Sequence, residues 1–415
     1  MKDYWRFLRE EPELISYGML LTLLSSFGQT FLISLFVPSI QGHFGLSQAG
    51  FGALYSGATL ASGLLLPWAG RAIDRRPLPE VTGGVVLLMT GSALALAGAW
   101  HVSVLALALV GLRLSGQGLS SHTALTAMAR YFPQARGKAL SLASLGFPAG
   151  EAVLPLTVAG LLALVGWRVS WVLVAVVTAL LLPVALVLLR RSGADLDPVG
   201  STIRHDTVSQ ARAADHRPAG DWSRRHVLRD VRFYLVLPAA LLPPFWATGL
   251  ILYQTSIAGG RGWSLTLMAS AFVAYAAARV VSSLVVGGGI DQFSARRLFP
   301  YSSLPLGLGV VILALVHSPW AAFAFMALLG TTVGLSGTLK SALWAELYGA
   351  RHLGAIKGLM ASLMVFSTAA APLLVGTVLE LDGGLVVLLL LALLSILLGT
   401  GLAFGVHLRP RIQLD

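Results

Sequence analysis

The sequence predicts an all-α membrane protein of twelve transmembrane helices in two six-helix, pseudo-symmetric halves. Apolar residues make up 56% of its 415 residues and charged residues only 11%, about half the charged share of an average soluble domain. Mean hydropathy is +0.79. Twelve largely uncharged runs are each long enough to cross about 30 Å of hydrocarbon. Basic residues collect in alternate loops between those runs, as loops on the cytoplasmic side of a membrane do.

The first run covers about 14–40. Lys2, Arg6 and Arg9 before it resemble the basic start of a signal peptide, but Glu10, Glu11 and Glu13 interrupt them. The apolar stretch is longer than a signal core and no small-x-small site follows, so an uncleaved first span is expected. Runs at about 47–70, 80–100, 103–130, 137–165 and 167–190 complete the first half. Residues 191–230 are rich in Arg, Asp, Ser and His and read as a polar linker, in which Asp195 and Asp197 form a solvated turn rather than a metal pair. Runs at about 231–257, 263–289, 297–317, 319–347, 354–380 and 384–408 make the second half. The expected division is therefore 1–190, 191–230 and 231–415.

Charge tests this count. Of 29 Lys and Arg, only Arg168 and Arg261 fall in outer loops, and only Arg113, Arg279, Lys340 and Lys357 fall within spans. The rest lie at the N-terminus, in the inner loops, in the linker and at the C-terminus. This places both termini in the cytoplasm of a multi-pass protein of a plasma membrane or bacterial inner membrane. The net charge of +11 does not imply nucleic acid, because the cations form short bursts rather than a stripe beside aromatics. The absence of cysteine excludes disulfides, thiolate metal sites and cysteine nucleophiles. No nucleotide-binding loop, paired catalytic acids or metal-ligand spacing is present, so no enzyme activity, metal or cofactor is expected. A monomer is expected.

An internal repeat appears at an offset of 217 residues. Gly70-Arg71-Ala72-Ile73-Asp74 falls on Gly287-Gly288-Gly289-Ile290-Asp291, Tyr131 on Tyr348, Gly137 on Gly354, Pro155 on Pro372 and Gly166 on Gly383. One offset held across four spans indicates parallel repeats related by an axis along the membrane normal, an arrangement that puts a substrate site between the halves near mid-membrane.

The loop Gly70-Arg71-Ala72-Ile73-Asp74-Arg75-Arg76 resembles the loop 2–3 motif of the major facilitator superfamily, and Gly287 to Arg297 resembles its second-half copy. Pro77 and Ser294 stand where that motif has Gly, and Gln292 stands where it has a basic residue. The resemblance implies a carrier in which Gly70, Asp74, Arg75, Gly287, Asp291 and Arg296 make inner-face contacts that break and reform as gates. Arg113-Leu114-Ser115-Gly116-Gln117-Gly118 is similar to the superfamily's span 4 signature, with Gln-Gly one residue late. A narrower resemblance, to the oxalate/formate antiporter and monocarboxylate transporter branch, rests on Arg279 in span 8 and on Arg130-Tyr131-Phe132 through Leu140. In that branch the span 8 Arg engages the substrate carboxylate; the Asp often found four residues earlier is Tyr275 here.

A charge at the bilayer centre costs about 2.5–3.5 kcal/mol and usually faces a cavity or a partner. Arg113 lies about 18 Å from the outer end of span 4, where it either bonds backbone carbonyls or contacts substrate. Arg279 is equally deep, with Tyr275, Ser282 and Ser283 near its side of the helix. Glu151, between Pro148 and Pro155, is the one deep acid. It can pair with Arg113 or act as a protonatable switch. Lys340 reaches a cavity or snorkels, Lys357 anchors the inner end of span 11, and His122 packs. Ser25, Ser26, Gln29 and Ser34 line the first span, and Trp246, Tyr253 and Gln254 the seventh. Pro243 and Pro244 are expected to break or bend span 7 as a gating point.

Cations therefore outnumber acids at mid-membrane. The expected function is a secondary active transporter moving a small organic anion, a carboxylate being the simplest, by alternating access. Arg279, Arg113, Gln29, Tyr275, Lys340 and Trp246 are the expected substrate contacts, Glu151 with Arg113 the charge pair, and protons or a counter-anion the candidate coupling species. The rival is proton-coupled efflux of amphipathic drugs through Glu151, with Phe27, Trp246 and Tyr253 as the contact surface.

Overall fold

The computed structural model describes residues 2–193, 222–349 and 352–405. Most of the linker, with Asp195 and Asp197, lies outside the described residues, as do Arg351, Arg409, Arg411 and the side chains of Lys2, Asp3, Trp5 and Asp291. The described residues are helical, with no strand. Ten helices are long and apolar enough to cross a bilayer, and a bent pair, Pro12–Gly28 with Thr30–Phe44, makes an eleventh. One of the ten, Arg136–Ser192, is interrupted at Gly166, whose backbone stands at φ 72° and ψ 175°. Only glycine adopts that conformation without strain. Divided there, the described residues hold twelve spans.

Span 1 is the bent pair; spans 2, 3 and 4 are Gln48–Arg75, Leu78–Ala97 and Val102–Tyr131; spans 5 and 6 are 136–165 and 167–192. Span 7 is Val231–Leu252 continued by Gln254–Gly259. Spans 8 to 12 are Leu265–Phe293, Ala295–Leu315, Trp320–Tyr348, Leu353–Leu379 and Gly384–Phe404. Local chemistry sets several ends. Ser47 caps span 2 by accepting from the Gly50 N–H at 3.0 Å, and Gly45 at φ 63° closes span 1. The helix limits repeat at the offset seen in the sequence. Spans 2 and 4 moved by 217 residues begin at 265 and 319, against 265 and 320 for spans 8 and 10.

The chain forms two compact units, residues 1–201 with 251–273, and residues 202–250 with 274–415. In unit 1, helices are joined by hydroxyl bridges of the kind that hold membrane helices together. Tyr17 meets Thr82 at 2.7 Å, Thr90 meets Thr178 at 2.9 Å, and Thr22 donates to the Ala143 carbonyl at 2.6 Å. Arg168, an exception to the charge bias, donates to the Ala97 and Ala99 carbonyls at the end of span 3. A cation at a helix C-terminus is favourable, so its place reflects a cap.

In unit 2, Thr332 accepts from the Leu306 N–H at 2.8 Å and Trp246 donates to Ser395 at 2.8 Å, joining span 9 to 10 and span 7 to 12. Residues 222–230 are not a free polar strand. Trp222 donates its backbone N–H to the Tyr348 carbonyl at 3.3 Å, and Trp222, Val227 and Asp230 are buried. Arg232 pairs with Asp230 at 2.9 Å and lies over the Trp222 ring.

The expected break at Pro243-Pro244 is not where span 7 is interrupted. The helix runs unbroken from Val231 to Leu252 through both prolines and stops at Tyr253. Ser367 of span 11 donates to the Leu241 carbonyl at 3.0 Å in this stretch, tying span 7 to a neighbouring helix. The sharp bend is instead in span 1, 45° at Gln29, whose backbone is extended at φ −89° and ψ 153°.

Candidate functional site

Arg113 is 3% exposed and stands at the start of a π-helical stretch, Arg113–Ser120, a form common at functional sites. Its Nη1 donates to the Tyr55 hydroxyl at 2.9 Å, Thr30 Oγ1 at 3.2 Å and the Gly28 carbonyl at 3.4 Å, and its guanidinium lies 5.0 Å from the Tyr55 ring centre. The bend at Gln29 opens the backbone of span 1, and Arg113 supplies donors on both sides of the opening. Gly28 and Gly116 make the approach possible, since a Cβ on Gly116 would run into the Gly28 backbone. Gln29 is half-buried, and its side chain donates to Ser25 Oγ at 3.3 Å.

All three acceptors that meet Arg113 are neutral, and its Nε meets no acceptor among the described residues. Glu151, 3% exposed in span 5, is not among its hydrogen-bond partners. The hydrogen bonds of Arg113 thus go to spans 1 and 2, and its expected pairing with Glu151 stays a proposal. The opened turn of span 1 presents the Gly28 carbonyl and the Thr30 hydroxyl that Arg113 meets. Glu151 follows Gly150, where a Cβ would run into the Ser26 side chain.

In unit 2, Arg279 is half-buried and Tyr275 is 6% exposed. Span 10 crosses span 8 at these residues. A Cβ on Gly330 would strike the Tyr275 carbonyl, and one on Gly334 the Arg279 carbonyl and Ser282 Oγ. Ser283 donates to the Gly334 carbonyl at 3.3 Å. Trp246, 5% exposed with its N–H on Ser395, belongs to the packing of span 7 on span 12. Lys340 is half-buried and lines a cavity of about 340 Å³ within unit 2.

The end of each unit that carries the arginine-rich loops is called here the basic end. In unit 1, Asp74 pairs with Arg130 at 3.2 Å, with side chains 71% and 41% exposed, and Arg130 also donates to the Ile73 carbonyl. Gly70 lies against the His122 imidazole, and Arg75 is exposed at the mouth of a cavity of about 400 Å³ shared with Arg71, Arg76 and Glu80. In unit 2, Glu346 accepts from the backbone N–H groups of Ala295 at 2.7 Å and Arg296 at 2.9 Å. Gly287 is half-buried and no atom would obstruct a Cβ there. Ser294 stands at φ 67° and ψ 148°, a region suited to glycine, at the motif position where the sequence departs from Gly.

At the opposite end of unit 1, residues 251–273 are joined to the first half by side-chain bonds. Gln254 donates to Ser34 Oγ at 2.6 Å, Tyr253 to the Gln48 carbonyl at 2.7 Å, and Gln48 to Ser256 Oγ at 3.0 Å. The break at Tyr253 falls beside the residue where span 7 passes from one unit to the other. Sequence reading missed Tyr55, Thr30, Gln48 and Glu346. The polar run Ser25-Ser26-Phe27-Gly28-Gln29-Thr30 inside an apolar span was the available signal for Thr30.

The computed structure is similar to two crystal structures of a bacterial homologue of the human lysosomal transporter Spinster, one inward-facing and occupied, the other inward-facing and unoccupied. The first aligns at a TM-score of 0.72 and 16% identity, covering 95% of this chain and 96% of the other. The second aligns at 0.71 and 14% with the same coverage. A mutant of the nucleoside transporter NupG aligns at 0.69 and 13%, covering 96% and 99%. At these identities the likeness shows the fold. No curated protein matches by sequence. The sequence model of the Major Facilitator Superfamily matches residues 18–256, more than half of the chain and all of its first six spans but the start of the first. With twelve helical spans and limits that repeat at a fixed offset, the chain belongs to the Major Facilitator Superfamily of membrane transporters.

Proposed function

We propose that this transporter is a secondary carrier of a small organic anion working by alternating access, with its basic ends and both termini at the cytoplasmic face. The observation that carries the reading is the state of Arg113. A guanidinium keeps its charge at any physiological pH, and here it is buried among neutral acceptors with one N–H unmet. A fixed positive charge in a medium of low dielectric favours an anion over a cation. Arg279, half-buried at mid-span, is the residue proposed to meet the cargo, because a carboxylate matches the planar fork of arginine. That assignment agrees with the resemblance to the oxalate/formate and monocarboxylate branch. Tyr275 and Gln29 are proposed as neighbouring contacts, and Arg113 as the residue that holds the span 1 bend and sets the local field.

A thermal-shift screen of the purified chain against organic acids tests this reading. Stabilisation by carboxylates that disappears in Arg279→Ala supports it. Stabilisation by lipophilic cations, with no response to carboxylates, would transfer support to proton-coupled efflux. Glu151 is proposed as the coupling acid. Transport by Glu151→Gln is expected to lose its dependence on external pH, and an unchanged pH profile would remove Glu151 from the mechanism.

A further inference from the structure

We infer that the cavity in the basic half of unit 2 is a second anion site, which holds an amphipathic monoanion between Lys340 and Lys357. The cavity lies among spans 7, 10 and 11 and measures about 340 Å³. Both lysines line it, and none of its lining residues is acidic. Lys357 donates to Ser341 Oγ at 3.0 Å. Lys340, although half-buried in a span, forms no hydrogen bond or ion pair among the described residues. Two ammonium groups facing one cavity repel each other, and an anion between them relieves that repulsion while giving Lys340 the acceptor it lacks.

The repeat shows that the fold does not require these charges. At the offset of 217, Lys340 falls on Thr123, Ser341 on Ala124, Trp344 on Ala127 and Lys357 on Leu140. In the first half the helices Ser121–Tyr131 and Arg136–Ala143 also pack on one another, with no cation at these four positions. Beyond the ammonium groups the wall is apolar, with Leu241, Trp344, Met360 and Met364. Methionine adapts to irregular apolar bodies, and lysine accepts an anionic head without demanding a planar fork. The volume is near the lower limit for small-molecule pockets. It suits one head with a short chain or single ring, and is too small for a two-tailed lipid. The inference rests on the anion-carrier reading, and the occupant of this second site is a single-headed anion with an apolar body.

Calorimetric titration of octanoate into the full chain in neutral phosphatidylcholine nanodiscs tests it. Binding is expected to weaken about tenfold or more in Lys340→Gln and in Lys357→Gln, as for loss of a charged hydrogen bond. Lys340→Arg should retain it in part. Met360→Trp, which keeps both lysines and fills the cavity, should remove the octanoate binding that Lys340→Gln weakens, and acetate should bind at this site at least about tenfold more weakly than octanoate. Octanoate binding unchanged by Lys340→Gln and by Met360→Trp would overturn the site while leaving the anion-carrier reading intact. Failure of every organic acid to bind would overturn both. Loss of octanoate binding when the nanodisc contains phosphatidylglycerol would make the cavity a seat for lipid headgroups and would equally overturn it.

Discussion

In unit 1 the crossing of spans 2 and 4 is made by side chains, with the Arg113 guanidinium bonded to Tyr55 and reaching on to span 1. In unit 2 the crossing of spans 8 and 10 is made by backbone, with Gly330 and Gly334 set against the carbonyls of Tyr275 and Arg279. The repeat relates the two places directly, since Arg113 falls on Gly330 and Ser62 on Arg279. Unit 1 fills the crossing with a cation that is held on several sides. Unit 2 closes it with glycine and leaves its arginine half-buried. One half thus uses its charge to brace the fold, and the other packs backbone on backbone at the same place.

The largest effect is expected from Arg113→Met, which leaves the Gly28 carbonyl and the Tyr55 and Thr30 hydroxyls short of a charged donor. A stability loss of about 3 kcal/mol is expected, read as a shifted unfolding midpoint in mixed detergent micelles. Arg279→Ala should cost much less stability while removing carboxylate binding. Equal losses of stability in the two variants would break the comparison.

Gly334→Ala is next. Its new methyl would meet the Arg279 carbonyl, and overpacking of this kind costs about 1–3 kcal/mol. The same substitution at Gly337, where a Cβ meets no atom within 4 Å, should be nearly neutral in the same titration. Ser294→Gly acts in the opposite direction. It removes the strain of a serine at φ 67° and should stabilise by about 1 kcal/mol. Pro77 at the matching place has φ −54°, so Pro77→Gly should give no such gain. The smallest effect is expected from Asp74→Asn. Its pair with Arg130 is exposed, and such pairs contribute under about 1 kcal/mol. Its influence should appear in transport rate rather than in unfolding.

Much of this organisation is legible in the amino-acid order. Apolar runs locate the spans because hydrocarbon admits few charges, and Gly166 marks the boundary between spans 5 and 6 because only glycine fits its backbone. The repeat at 217 residues anticipates the helix limits of the second half from those of the first. The bend at Gln29 was not legible, because hydropathy averages over the polar run from Ser25 to Thr30 and the opening is held by a residue more than eighty positions away. Pro243 and Pro244 did not break span 7, since a lost N–H leaves the helix continuous where its neighbours hold it. The packing of Trp222 and Asp230 was hidden by the polar composition around them. Burial there depends on Arg232 and Tyr348, whose proximity is tertiary.

Counterflow of labelled benzoate in proteoliposomes tests the central claim most directly, that the charges of this carrier select an anion. Liposomes preloaded with unlabelled benzoate should accumulate label through the wild-type chain, and Arg279→Ala should abolish that accumulation while remaining folded. If benzoate and other organic acids give no counterflow while a lipophilic cation does, the anion assignment is contradicted.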